Sequence, residues 1–293
     1  MKSRYMQIDT PALLIDRDIM MNNIGFMQAK ADKYKVSLRP HIKTHRMPEL
    51  AHLQLQAGAA GITVAKVGEA EVMAAHGITD IFIANEIVGV MKLERIKALA
   101  DKNITIRLGV DNEYQVDQLE KVFASAANPV EVLIELEVGE NRSGVITDEQ
   151  LLSLAKYISR QEKVVLKGIF SHEGHTYKAP NGEECCRLAI ESQHKTLRAA
   201  ELVRQAGINI DTVSIGATPS LMQSGIIDGI TEIRPGTYIL MDAGQGNALD
   251  DYSTCAATIL VTIISKPTAE RVVFDAGAKT LTTQNRPTGI CAT

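Results

Sequence analysis

The feature that most constrains this chain is a repeated alternation. Short apolar, β-branched runs recur along it, separated by longer amphipathic segments. The runs are residues 35–43 (KVSLRPHIK), 60–66 (AGITVAK), 80–85 (DIFIAN), 103–111 (NITIRLGVD), 130–139 (VEVLIELEVG), 164–172 (VVLKGIFSH), 211–216 (DTVSIG) and 231–236 (TEIRPG). Between them lie helix-like stretches such as TDEQLLSLAKYISRQ, several closed by a glycine, a common helix stop. Strand–helix alternation implies parallel βαβ units. Eight strands is the number that closes a (β/α)8 barrel. The expected fold class is therefore α/β, a TIM-like barrel.

After residue 240 the rhythm changes. CAATILVTIISKP and RVVFDAG read as strands with little helix between them, the start of a β-rich second domain. Two or three strands alone do not make a stable domain. Either the N-terminal ALLID strand joins them, or the chain is incomplete, or both. The expected organisation is residues 1–20 as an N-terminal strand joining the β domain, 21–240 as the barrel, and 241–293 as the start of an incomplete C-terminal β domain. The last of these ends in a turn-like tail, KTLTTQNRPTGICAT.

Composition excludes several classes of function. The 293 residues are 45% apolar and 23% charged, with a formal net charge of -4. Scattered charge with a slight acidic excess argues against nucleic acid or an anionic membrane surface as partner. The most apolar run, 255–264, is too short to span a bilayer, and the N-terminus has no apolar signal region. Cys185, Cys186, Cys255 and Cys291 form no CxxC pair. Reduced thiols in a cytoplasmic chain are the simplest reading.

The stretch RPHIKTH, residues 39–45, stands out. If it ends a strand, Arg39, His41, Lys43 and His45 share one face, since side chains alternate. Helices cover the outside of such a barrel, so these four basic groups are expected to point to its axis or C-terminal mouth, where active sites lie. An exposed edge strand with a solvated basic face is the bland alternative. Other strand ends carry similar groups: Glu137 and Arg142 in ELEVGENRSG, His172, His175 and Tyr177 in SHEGHTY. The loops GATPS and PGTY follow the seventh and eighth strands, the usual phosphate site of this architecture. Glycine lets backbone N–H groups approach a phosphate and Ser or Thr hydroxyls add donors. Singly, each loop is an ordinary turn. Together they favour a phosphate cup. His172-x-x-His175 is weak as a metal pair, having no third ligand at a characteristic spacing. KVGEAEV is no GxGxxG fingerprint, which argues against a dinucleotide site. A lysine that can form an imine and a cup that can hold a phosphate suit one molecule, pyridoxal 5'-phosphate (PLP).

Taken in order, TPALLID, RPHIKTH, ELEVGENRSGV, SHEGHTY, IGATPS, EIRPGTYILMD and FDAGAKTL resemble the D-threonine aldolase / D-serine dehydratase family. These are fold-type III PLP enzymes with an alanine-racemase-like barrel. The resemblance implies that Lys43 binds PLP and that Arg142 lies near its phenolic oxygen. It implies that Tyr177 faces substrate or PLP, and that Gly216, Thr218, Gly236, Thr237 and Tyr238 hold the phosphate. By the racemase analogy His172 supports Arg234 near the pyridine nitrogen. The implied catalytic set is Lys43, Arg142, Tyr177 and His172. The implied activity is cleavage of a β-hydroxy-D-amino acid to glycine and an aldehyde, by a homodimer. D-serine dehydration is the alternative within the family. A non-catalytic PLP-binding protein, or an inactive remnant, is the alternative from another class. The resemblance also implies a divalent metal, manganese or zinc. Its histidine and cysteine or aspartate ligands belong to a later segment than this chain contains.

Overall fold

The computed structural model describes residues 4–249, 251–277 and 280–281. Cys291 and nearly all of the turn-like tail lie outside the described residues. The first elements in chain order are β1 (Ala12–Ile15), α1 (Arg17–Tyr34), β2 (Ser37–Leu38), α2 (Pro48–Gln56), β3 (Ile62–Val64), α3 (Val67–Ala75), β4 (Asp80–Glu86), α4 (Val90–Ala100) and β5 (Thr105–Val110). Next come α5 (Glu113–Phe123), β6 (Val130–Leu136), α6 (Asp148–Ile158), β7 (Val164–Ser171), α7 (Gly182–Gln205), β8 (Thr212–Ile215), α8 (Thr218–Gln223) and β9 (Glu232–Ile233). The last are α9 (Ala243–Leu249), β10 (Ala257–Leu260), β11 (Ile263–Thr268) and β12 (Arg271–Phe274). They fall into two compact units. One is Gly25–Thr237; the other joins the described residues up to Ile24 to those from Tyr238 onward.

The larger unit holds one parallel sheet in the order β2-β9-β8-β7-β6-β5-β4-β3. All eight expected strands are present. The two ends of the sheet meet through a single parallel bridge between His41 and Thr63. The Thr63 N–H donates to the Pro40 carbonyl and the Ala60 N–H to the Leu38 carbonyl, both at 2.8 Å. These bonds close the ring. Strand β6, VEVLIEL, illustrates why the strands form. Val130, Val132 and Ile134 alternate with Glu131, Leu133 and Glu135, placing one set under the helices and the other inside. The helices start where the sequence supplies a cap. Thr147 and Gln150 form a reciprocal capping box at α6, and Asn112 and Asn181 cap α5 and α7.

The interior has layers. Phe82 of β4 and Phe170 of β7 meet edge to face with centroids 5.1 Å apart, packed with Leu133 and Ala84. Strands β4 and β7 are not neighbours, so this contact crosses the barrel axis. Gly109 makes room for it, since a Cβ there would stand 2.7 Å from Phe170 Cζ. Toward the N-terminal strand ends lies a charged layer. Arg39 donates to Glu232 and to Asp80, each at 2.7 Å, and Arg107 donates to Asp80 at 2.7 Å and Glu131 at 2.8 Å. Buried charge needs such partners.

One expectation is corrected here. The sequence reading put residues 39, 41, 43 and 45 on one strand face. Strand β2 stops at Leu38, and Ile42–Thr44 is a 3₁₀ turn. The alternation therefore breaks after Pro40. Arg39 serves the charged layer, and His45 is buried against Gln54 of α2 at 3.3 Å. Only His41 and Lys43 remain at the mouth.

In the smaller unit β1 pairs antiparallel with β10, Ala12 opposite Leu260. The Asn23 amide donates to the Ile239 and Thr254 carbonyls at 3.2 and 2.8 Å. Strands β11 and β12 form an antiparallel hairpin. No helix among the described residues is long and apolar enough to cross a membrane.

Candidate active site

The C-terminal ends of the barrel strands gather an uneven set of charges. Lys43 sits in the 3₁₀ turn after β2, its N–H donating to His41 Nδ1 at 3.4 Å. Its side chain reaches open space, yet protein atoms crowd its ammonium. That crowding, and next the Arg142 charge, pull its pKa below the ordinary lysine value. Arg142, in the loop after β6, spans two carboxylates, Glu135 at 3.4 Å and Glu140 at 3.3 Å. Glu140 also approaches His172 Nε2, at 4.0 Å. It lies against Gly174, where a Cβ would collide with its carboxylate.

His172 follows β7 directly and donates from Nδ1 to the Gly216 carbonyl. Burial holds its pKa at about 3, so the imidazole is neutral and Nε2 keeps a lone pair. His41 is likewise held well below the ordinary histidine value, by burial and then by Lys43. Arg234 is buried. It donates to Ser214 Oγ at 2.5 Å and to the Ser171 carbonyl at 2.7 Å, and its guanidinium lies over the Phe170 and Phe82 rings. His172 and Arg234 are thus held by different partners.

The loops after β8 and β9 lie side by side. A Cβ on Gly216 would meet the Arg234 backbone at 2.9 Å, so only glycine allows this approach. The Thr218 side chain is buried. The Tyr177 hydroxyl lies 3.4 Å from the Thr237 hydroxyl. The Gly216 N–H is engaged by Glu173 Oε2 at 3.1 Å. Tyr238, the next residue along, is fully buried and belongs by its contacts to the smaller unit.

Sequence reasoning missed two acidic features. Glu86, at the end of β4, hydrogen-bonds Glu135, and burial and then that bond push its pKa up to about 9. At neutral pH the Glu86 carboxyl therefore carries its proton. Glu173 is the second. Glu135 was legible, since the alternation of β6 aims 131, 133 and 135 inward. Its pairing with a residue forty-nine positions earlier was not.

Comparison with known proteins finds relatives over nearly the whole chain. A D-threonine aldolase of Arthrobacter sp. is 35% identical over 287 residues, spanning 97% of this chain and 76% of the relative. Among solved structures, D-threo-3-hydroxyaspartate dehydratase from Delftia sp. HT23 superposes with a TM-score of 0.89 at 31% identity, covering 95% of this chain and 74% of the other. D-threonine aldolase from Filomicrobium marinum gives 0.85 at 30% identity, covering 94% and 75%. Residues 15–243 match the model of the alanine racemase N-terminal domain. With its eight-stranded parallel barrel and its lysine at the mouth, the chain belongs to the alanine racemase N-terminal domain family.

Proposed function

We propose that this chain is a PLP-dependent lyase that cleaves β-hydroxy-D-amino acids of the D-threonine type to glycine and an aldehyde. The observation that carries it is the 35% identity to a D-threonine aldolase over 97% of the chain, joined to a depressed-pKa lysine at the barrel mouth.

The residues present fit the cofactor. Burial, and next the Arg142 charge, lower the Lys43 pKa, which enlarges the share of neutral amine, the form that attacks a carbonyl. Thr218 and Thr237 bring hydroxyls to two loops drawn together at Gly216, a set suited to a phosphate. Arg142 supplies a positive charge for an aromatic oxygen. Arg234 puts a cation rather than a carboxylate at the barrel centre. In this reading Lys43, Arg142, Tyr177, Gly216, Thr218, Arg234, Gly236, Thr237 and Tyr238 bind cofactor, and Lys43, Arg142, Tyr177 and His172 serve catalysis. When bound, the cofactor supplies an electron sink for the charge left at Cα. As an ammonium, Lys43 would deliver the proton that completes glycine at that carbon. Neutral His172, locked by the Gly216 carbonyl, presents Nε2 as an acceptor. A divalent metal belongs to the same reading, but among the described residues no group of three or more His, Cys, Asp or Glu side chains could hold one. No step is assigned to it.

Dehydration is the second reading, favoured by the 0.89 superposition on a hydroxyaspartate dehydratase. Purified chain supplied with PLP and given D-threonine or D-serine separates the two. Acetaldehyde plus glycine supports cleavage. Pyruvate or 2-oxobutyrate supports dehydration, and neither product defeats both. A cytoplasmic homodimer completes the proposal, with sedimentation velocity as the check on the dimer.

A further inference from the structure

Gly216 is clamped by two consecutive residues. His172 donates to its carbonyl and Glu173 accepts its N–H at 3.1 Å. Glu173 is 1% exposed, and its second oxygen, Oε1, is buried without a partner. A buried carboxyl with an orphan oxygen is costly. It also occupies an N–H that a bound phosphate would attract, so two anions contend for one loop.

The charged and titratable groups around Glu173 come from three sides. Arg234, just past β9, attracts its negative form. Gly216 and Ser220, on the β8 side, offer an N–H and a hydroxyl. From α7, Cys185 feels its charge. His172 and His175 flank it in the chain, both held below the ordinary histidine value, mainly by burial. Burial outweighs the attractive contacts and lifts the Glu173 carboxyl to about 7. Near neutral pH the group therefore stands at its midpoint, where a nearby charge tips it.

We propose that Glu173 is the proton-linked partner of the phosphate cup: a phosphate monoester dianion docking on the Gly216–Thr218 and Gly236–Thr237 loops is accompanied by uptake of one proton from solvent at the Glu173 carboxyl. No other bond is made or broken. The internal carboxylate is discharged as the external dianion arrives, which removes a repulsion and frees its hold on the Gly216 N–H. This inference rests on the cofactor reading above.

The test uses pyridoxine 5'-phosphate, which has no aldehyde and so cannot link to Lys43. The cofactor-free full chain is titrated calorimetrically at pH 8 in two buffers of different ionisation enthalpy. Wild type is expected to take up close to one proton per ligand, and Glu173→Gln close to none. From pH 7 to 9 the wild-type affinity is expected to fall by up to about tenfold per unit, while Glu173→Gln stays flat. Binding without proton uptake in wild type, or equal uptake in Glu173→Gln, overturns the inference and leaves the cup standing. Absence of binding, or equal binding of pyridoxine lacking the phosphate, defeats the cup and the inference with it. The wild-type proton count decides the matter even where the variant does not fold.

Discussion

A methyl group on Gly236 would stand 2.9 Å from the His41 carbonyl oxygen and 3.2 Å from the Thr44 hydroxyl. The loop after β9 therefore presses directly on the turn that bears Lys43. The proposed phosphate site and Lys43 are linked through this one contact. Gly236→Ala is expected to weaken PLP binding by about tenfold or more, because neither neighbour can retreat without moving Lys43. Fluorescence titration with PLP measures this, and unchanged affinity would show that the contact does not bear on the site.

Lys43 is the proposed point of covalent attachment. Borohydride reduction of the PLP-loaded protein, followed by peptide mass spectrometry, is expected to find the adduct on the Lys43 peptide. Lys43→Ala is expected to yield no adduct and to lose about a thousandfold or more in turnover. An adduct that persists in the variant would place the attachment elsewhere.

The Glu86 carboxyl, set beside Glu135, makes stability fall as pH rises from about 4.5 to about 9. The Glu86 carboxyl moves from an ordinary 4.5 up to about 9 on folding. A carboxyl raised in this direction contributes stability that is full below 4.5 and is lost as pH rises through about 9. Glu86→Gln, always neutral, removes this dependence. Its melting temperature relative to wild type is expected to climb by several degrees between pH 5 and 10. Parallel curves would show that folding does not raise the Glu86 carboxyl.

Arg39 stitches the floor of the barrel. Its loss leaves Glu232 and Asp80 without the guanidinium that joins them, and Gly61 beside a void, since a Cβ there would stand 2.1 Å from Arg39 Nη1. Arg39→Met is expected to cost about 3–5 kcal/mol by urea denaturation. A cost under about 1 kcal/mol would mean that the layer's charges are solvated instead.

The barrel was legible in the sequence because each strand carries its own apolar run between helix stops, a local signal. The RPHIKTH stretch shows where local signals end. Its alternating pattern continues through His45, but the chain turns at Ile42 because the ring must close on Thr63. That is a constraint from a residue over twenty positions away. The loops after β8 and β9 were legible through their glycines and threonines. Glu173 and Glu86 were not singled out. A lone carboxyl between two histidines, or at a strand end, acquires meaning only from what burial sets beside it.

The ring's last join has a kinetic consequence. Strands β2 and β9 are two residues each, and one bridge, His41 to Thr63, links the sheet's ends. Lys43 lies two residues beyond that bridge. Local opening of the barrel is therefore concentrated where the lysine is anchored. The Thr63 amide becomes a reporter of the site, exchanging with solvent slowly once a ligand tethers Lys43 and faster when nothing does.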